Sequence, residues 1–335
     1  MNNGRETIIE LEHIVKRYTS KSSFFGARGK EIIALNKISI KILRGEIFGL
    51  VGESGSGKTT AGRLIVRLEK PEEGRIYLNG LEMAGLKGKA LKDFRRKVQM
   101  IFQDPYQSLN PQLSVFDTIS EPLVIHKIGN AEDREDAVWQ IMKSVGLSPP
   151  DDFVNRYPHQ LSGGQRQRVA IARVMVLNPD FVVADEPTSM LDASISANIF
   201  NILLDMREKF QVALLFITHS LSAARYLCDR IAVIYKGNMM ELGSADQVIQ
   251  KPKHPYTKAL IDALPKFGLS GEVKHYNTLL PVAREAFEHE GCPFFARCSV
   301  ANKTKCSLER PLLKETDDSH WVACFYAVNG AEKGF

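Results

Sequence analysis

Residues 52–59, Gly-Glu-Ser-Gly-Ser-Gly-Lys-Thr, space three glycines so that successive backbone N–H groups can turn inward around an anion. A helix expected to open near Lys58 adds the positive end of its dipole. Lys58 offers a compact positive charge to phosphate oxygens, and the Thr59 hydroxyl offers a ligand to Mg²⁺. Gly52, Glu53, Ser54, Gly55, Ser56, Gly57 and Thr60 complete the expected contacts with a nucleoside triphosphate such as ATP. Asp185 ends the apolar run Phe-Val-Val-Ala, which would set its carboxylate at a strand tip beside the metal. Glu186, one residue on, can face an attacking water. Gln103 follows Val-Gln-Met-Ile-Phe and His219 follows Leu-Leu-Phe-Ile-Thr. Both are therefore expected at strand ends, Gln103 near metal and γ-phosphate, His219 on the γ-phosphate and the water. The ring of Tyr18 is a candidate to stack on the base.

A second expected anion site lies about a hundred residues beyond the first, at Leu161-Ser-Gly-Gly-Gln165. Ser162 can cap a helix beginning near Gln165, and Gly163-Gly164 let backbone approach a phosphate closely. Asp192, in Ser-Met-Leu-Asp, is expected to line the same contact.

The elements that must position these groups follow from patterning. Residues 7–17 alternate as a strand, 19–31 form a Ser-, Lys- and Gly-rich loop, and a strand pair is expected near 32–42 and 46–51. Residues 75–80 resemble a hairpin arm. From about 104 to 175 the pattern is helical, clearest over Asp133–Val145, before strands return at 181–184, 212–218 and 231–235 around a helix at 193–209. Alternation of strands and helices implies an α/β core with a largely parallel sheet. Beyond Gly243, clustered prolines and cysteines mark a change of character.

Of 335 residues, 44% are apolar and 25% charged, enough for a core and a well-solvated surface. No apolar run reaches bilayer-spanning length, and the start lacks a signal-peptide pattern, so residence in the cytoplasm is expected. A net charge of +5 does not argue for nucleic acid as a partner. Four cysteines, Cys292, Cys298, Cys306 and Cys324, fall in the last 44 residues, separated by five, seven and seventeen positions. In a reducing compartment they point to a metal site rather than disulfides, and spacing alone leaves Zn²⁺ and iron–sulfur open.

Taken together, the phosphate loop, residues 161–165 and Asp185-Glu186 resemble an ABC-type ATPase cassette. Phe102–Pro111, Tyr157–Gln165, His254–Leu260 and the cysteine-bearing tail resemble the ATP-binding subunits of dipeptide/oligopeptide importers, from about residue 7 to 325. That resemblance implies a P-loop NTPase of the ABC class, with a mostly parallel sheet, an antiparallel β subdomain and a helical subdomain at about 104–175. It places the ATPase domain at 7–245 and a small cysteine-rich C-terminal extension at 246–335. It implies that Ser162, Gly163, Gly164, Gln165 and Asp192 close over the ATP of a facing cassette. It tips the four cysteines towards a [4Fe–4S] cluster, with Zn²⁺ the alternative. The implied function is ATP hydrolysis driving import of a small solute, di- or oligopeptides by default, at the cytoplasmic face of the membrane. Implied partners are a second, homologous ATPase subunit, two transmembrane permease subunits and, indirectly, an extracytoplasmic solute-binding protein. Met190 in place of a small residue and Ala296 in place of a proline depart from the pattern. Other readings are a non-transport ABC ATPase, against which the short spacing argues, and a cluster-based regulatory protein, against which intact Glu186 and His219 argue.

Overall fold

The computed structural model describes residues 5–19, 31–263 and 290–327. The loop expected at 19–31 therefore lies almost wholly outside the described residues, as do parts of the extension. The chain opens with β1 (Thr7–Thr19), β2 (Glu31–Leu43) and β3 (Ile47–Val51), then the phosphate loop and α1 (Lys58–Ile65). Next come β4 (Glu73–Leu78), β5 (Leu81–Glu82), α2 (Gly88–Lys97) and β6 (Val98–Ile101). The helical stretch holds α3 (Pro105–Ser108), α4 (Val115–His126), α5 (Ala131–Ser144) and α6 (Gly163–Met175). It is followed by β7 (Phe181–Asp185), α7 (Ala193–Phe210), β8 (Ala213–Thr218), α8 (Leu221–Leu227), β9 (Arg230–Tyr235) and β10 (Asn238–Ser244). The C-terminal portion contributes α9 (Ala245–Gln250), α10 (Pro255–Asp262), α11 (Lys305–Leu308), β11 (Lys314–Asp317) and β12 (His320–Val322).

Among the described residues two sheets form: an antiparallel one ordered β2-β1-β4-β5, and an eight-stranded one ordered β11-β12-β10-β9-β3-β8-β7-β6. The centre of the larger sheet, from β9 to β6, is parallel throughout. Its strands are apolar on both faces because helices or the smaller sheet cover each side. Phe48, Leu50, Val183, Leu215 and Ile217 point into a core shared with the antiparallel sheet. Their neighbours Ile47, Val51, Val182, Ala184, Leu214 and Phe216 point into a core shared with the helical block. This period of two sandwiches the sheet between two cores.

The helical block is built from well-signalled starts. Ser114 with Asp117 caps α4, and Asn130 with Asp133 caps α5, both as reciprocal capping boxes. One expectation is revised. The stretches near 32–42 and 46–51 are not partners: β2 pairs with β1 in the smaller sheet, while β3 lies between β8 and β9. The run to Val51 is buried on both faces, whereas the β2 pattern of exposed and buried residues suits a sheet with one wet face. The C-terminal hairpin β11–β12 has no counterpart in the sequence reading. Through Glu241↔Val322 and Leu242↔Trp321 it extends the main sheet beyond β10.

Buried Glu241 fastens this edge. Its carboxylate accepts from the backbone N–H groups of Lys253 and His254, at 2.8 and 2.9 Å, and lies 2.7 Å from His320 Nε2. Three partners from two segments satisfy a group that would otherwise be costly to bury.

A candidate nucleotide site and a cysteine-lined pocket

β6, β7 and β8 are neighbouring parallel strands, so their C-terminal ends open on one edge of the sheet. Gln103, Asp185 with Glu186, and His219 lie at or just beyond those ends, and the phosphate loop follows β3 on the same edge. The geometry brings the four positions together. Gln103 Nε2 donates to Glu186 Oε2 at 3.2 Å, and His219 Nδ1 lies 3.2 Å from Glu186 Oε1. The Glu186 carboxylate is thus held from both sides. Its backbone has φ +44°, a left-handed conformation that costs a non-glycine residue of order 1–3 kcal/mol. That conformation turns the chain sharply after the strand and aims the acid into the cavity.

Thr59 Oγ1 donates to Asp185 Oδ1 at 3.1 Å. Asp185 is almost wholly buried, and burial raises its carboxyl above the usual range, the Thr59 bond opposing. An acid desolvated beside a hydroxyl fits a divalent cation, whose charge would offset the cost of ionisation. Lys58 Nζ donates to the carbonyls of Gly52 and Glu53 at 2.8 and 2.9 Å. Burial lowers the Lys58 ammonium, while Glu186, Asp185 and Glu53 pull it back up.

Glycine is required in the loop for two separate reasons. A Cβ on Gly52 would lie 2.2 Å from the Ile234 carbonyl oxygen, leaving it no room. Gly57 has φ +105° and is packed just as tightly, a Cβ there meeting the Ala34 carbonyl at 2.2 Å. The α1 helix starts at Lys58, directly after this turn.

Lys58, Thr59, Gln103, Glu186 and His219, with Thr60, Ser54 and Gly55, line an open cavity of about 760 Å³, while buried Asp185 meets it through its bond to Thr59. Tyr18 at the end of β1 lies on its wall and donates to Glu69. Sequence reasoning missed three apolar neighbours there, Ile32, Ala34 and Leu260. Leu260 belongs to α10, in the C-terminal portion. Ser56, the remaining loop residue, is buried behind the cavity with its hydroxyl unpartnered.

None of the residues lining this cavity is Ser162, Gly163, Gly164, Gln165 or Asp192. Ser162 caps α6, which begins at Gly163 rather than near Gln165. Its hydroxyl accepts from the Gln165 N–H at 3.3 Å, and Gln165 Oε1 accepts from the Ser162 N–H at 2.9 Å. The Gln165 side chain is therefore turned back onto the cap. Gly164 has a packing role of its own, since a Cβ would meet Ile195 Cγ2 at 2.7 Å. Asp192 is exposed at the start of α7, its carboxylate making no cap bond.

The four C-terminal cysteines line one small apolar cavity of about 20 Å³, and none is in a disulfide. Burial pushes the Cys292 thiol up to about 11 and Cys298 up to about 12, and raises Cys324 as well. The expected metal centre is not formed as such. Among the described residues no group of three or more His, Cys, Asp or Glu side chains is placed to hold a metal ion. The void is about a water's size, and its apolar surroundings disfavour the thiolates of Cys292, Cys298 and Cys324. Packing places the thiols around a common point without preassembling an ion site.

Among the described residues, no helix is long and apolar enough to cross a membrane.

Residues 35–189 match the family model for the ABC transporter, and residues 240–306 match that for the oligopeptide/dipeptide transporter, C-terminal region. The chain is 41% identical over 324 residues to the oligopeptide transport ATP-binding protein AppF of Bacillus subtilis (strain 168), covering 96% of this chain and 98% of the relative. It is 39% identical to the di/tripeptide transport ATP-binding protein DppF of Pseudomonas aeruginosa (strain UCBPP-PA14), covering 96% and 98%. Among solved structures it is similar to the ATP-binding cassette MJ0796 in a dimeric post-hydrolysis state bound to ADP and Pi. The TM-score is 0.63 at 31% identity, over 71% of this chain and 99% of that one. The fold, the phosphate loop with its acids at the strand ends, and these relatives agree: the chain belongs to the ABC transporter ATPases, in the branch that carries the oligopeptide/dipeptide transporter C-terminal region.

Proposed function

We propose that this chain hydrolyses ATP as the ATP-binding subunit of an ABC importer whose cargo is di- or oligopeptides. The observation that carries the reading is the convergence of Lys58, Thr59, Gln103, Glu186 and His219 on one cavity, with Asp185 hydrogen-bonded to Thr59. In this reading the loop N–H groups and Lys58 hold the triphosphate, and the Tyr18 ring stacks on the adenine. Thr59 and Asp185, with Gln103, would hold Mg²⁺, which neutralises charge on the β- and γ-oxygens. Glu186 accepts the proton of the attacking water, and His219 orients water and γ-phosphate. Within the triphosphate site, transition-state charge is met by dipoles already in place.

The cavity takes no residue from the second anion site, which supports a dimer. Ser162, Gly163, Gly164, Gln165 and Asp192 would close over ATP held by a facing, homologous cassette. MJ0796 is itself a dimeric cassette. Residues 7–245 would form the ATPase unit, its helical part at 104–175, and 246–335 the extension. A cavity of about 250 Å³ between α4 and α6, with Phe102, Pro122, Ile125 and Leu177 among its walls, would receive a short helix of a membrane subunit. Gln103 adjoins it, so closing the cassettes would move that helix. In this reading the chain works at the cytoplasmic face of the membrane, against two permease subunits, with a solute-binding protein acting from the far side.

The four convergent thiols support a [4Fe–4S] cluster that staples the extension, since the donor set suits it and the small pocket would open to admit it. Purification without oxygen followed by iron, sulfide and zinc analysis tests this. Iron and sulfide in equal amounts are expected; zinc alone, or no metal, overturns it.

Glu186→Gln tests the ATPase. Turnover is expected to fall roughly 10²–10⁴-fold while ATP stays bound and the subunits remain paired on a sizing column. A variant that hydrolyses ATP at the normal rate overturns the assignment. Reconstitution with the neighbouring permease subunits, reading peptide-stimulated hydrolysis, tests the cargo.

A further inference from the structure

The second residue of the phosphate loop is an acid, which is an awkward choice for a site that must hold a triphosphate. Uncompensated, the Glu53 carboxylate would repel the ligand's charge. It is not uncompensated. Arg297 grips it in a fork, Nη1 donating to Oε2 at 2.9 Å and Nη2 to Oε1 at 3.0 Å. Arg297 reaches the loop from 244 positions away in the chain, between Cys292 and Cys298. Its guanidinium lies over the rings of Tyr235 and Phe294, 5.7 Å from each, which fixes its plane. A second contact comes from α10. The Glu53 backbone N–H donates to Tyr256 Oη at 3.0 Å. Tyr256 is fully buried, its ring 4.6 Å from Tyr235 and 5.3 Å from Phe294. On the other side, the Glu53 carbonyl accepts from Lys58 Nζ.

Side chain and N–H of Glu53 are thus both committed to the C-terminal extension, and its carbonyl to the catalytic lysine. We propose that Arg297 and Tyr256 are positioning residues of the nucleotide site: they cancel the Glu53 charge and set the first turn of the phosphate loop for the triphosphate. This rests on the reading of the cavity as an ATP site. It gives the extension a part in the ATPase, exerted by Arg297 and Tyr256 through the loop they touch. The same segment that carries two of the cysteines carries the arginine, so the packing of the thiol pocket and the set of the loop are mechanically joined.

The test is equilibrium binding of Mg-ATP to the full-length chain, with steady-state hydrolysis by the assembled complex alongside. Arg297→Ala is expected to weaken ATP binding about tenfold and raise KM in step, with kcat at saturating ATP changed less than about twofold. Arg297→Lys restores charge without the fork and falls between. The decisive variant is Arg297→Ala with Glu53→Gln, which removes both charges and regains most of the affinity. Tyr256→Phe, which keeps the ring and loses only the acceptor, weakens binding about threefold. Binding indifferent to Arg297, or a double variant as weak as Arg297→Ala, overturns this proposal and leaves the ATP site standing. A wild-type chain that binds no Mg-ATP overturns the reading of the cavity, and this proposal with it.

Discussion

The nucleotide cavity and the thiol pocket are linked through Arg297, which lies between two of the cysteines and grips Glu53, yet they are held in different ways. In the cavity, polar groups pair with one another: Thr59 with Asp185, Gln103 and His219 with Glu186, Lys58 with loop carbonyls. Each is kept in place by hydrogen bonds that a ligand can take over. In the pocket, thiols sit among Phe294, Phe295 and Pro255, and the polar contacts of Cys292, Cys298 and Cys324 include hydrogen bonds from nearby backbone. A site paired in advance needs only its ligand to exchange bonds. One assembled by packing depends on its core, so the two should fail differently when disturbed.

The largest effect is expected at the aromatic hub of the pocket. Phe294 is wholly buried and packs on Tyr235, Tyr256 and His254. Phe294→Ala should cost about 3–5 kcal/mol of stability, read as a lowered denaturation midpoint and loss of whatever metal the purified protein retains. Unchanged stability would remove the idea that packing holds this region. Acid offers a second probe. Burial pushes His254 down to about 4 from the ordinary 6.5. Between those values the unfolded chain binds a proton that the folded chain refuses, so stability is full above pH 6.5 and falls as pH drops towards 4. The full loss is on the order of 3 kcal/mol, and His254→Asn should flatten the slope of melting temperature over that window. The smallest expected effect concerns the polar site. Gly52→Ala forces the loop away from the Ile234 carbonyl and should lower turnover about 10²-fold while costing about 1–3 kcal/mol of stability, less than Phe294→Ala. A loss of stability as large as that of Phe294→Ala would show that the loop, too, is held by the core and would blur the contrast.

Much of the nucleotide site is legible in the chain because its requirements are local. Glycines at fixed spacing are needed wherever backbone N–H groups curl around an anion. Polar residues after short apolar runs gather whenever those runs become adjacent parallel strands, as β6, β7 and β8 do. The reciprocal bond from the Ser162 N–H to the Gln165 side chain is a detail of the helix start that the motif alone does not spell out. The pairing of β2 was misjudged because neighbouring apolar runs look alike until one learns which has a wet face.

The sequence by itself determined the phosphate loop, the acids and histidine at strand ends, the capped signature helix and the family, because each is a pattern of short range. Only the tertiary structure decided that Leu260 lines the nucleotide cavity, that the hairpin β11–β12 prolongs the main sheet, and that Tyr256 and Arg297 reach Glu53. Those contacts join positions 203 and 244 residues apart. No local rule of spacing or propensity governs such a meeting; it follows from how an entire sheet edge packs.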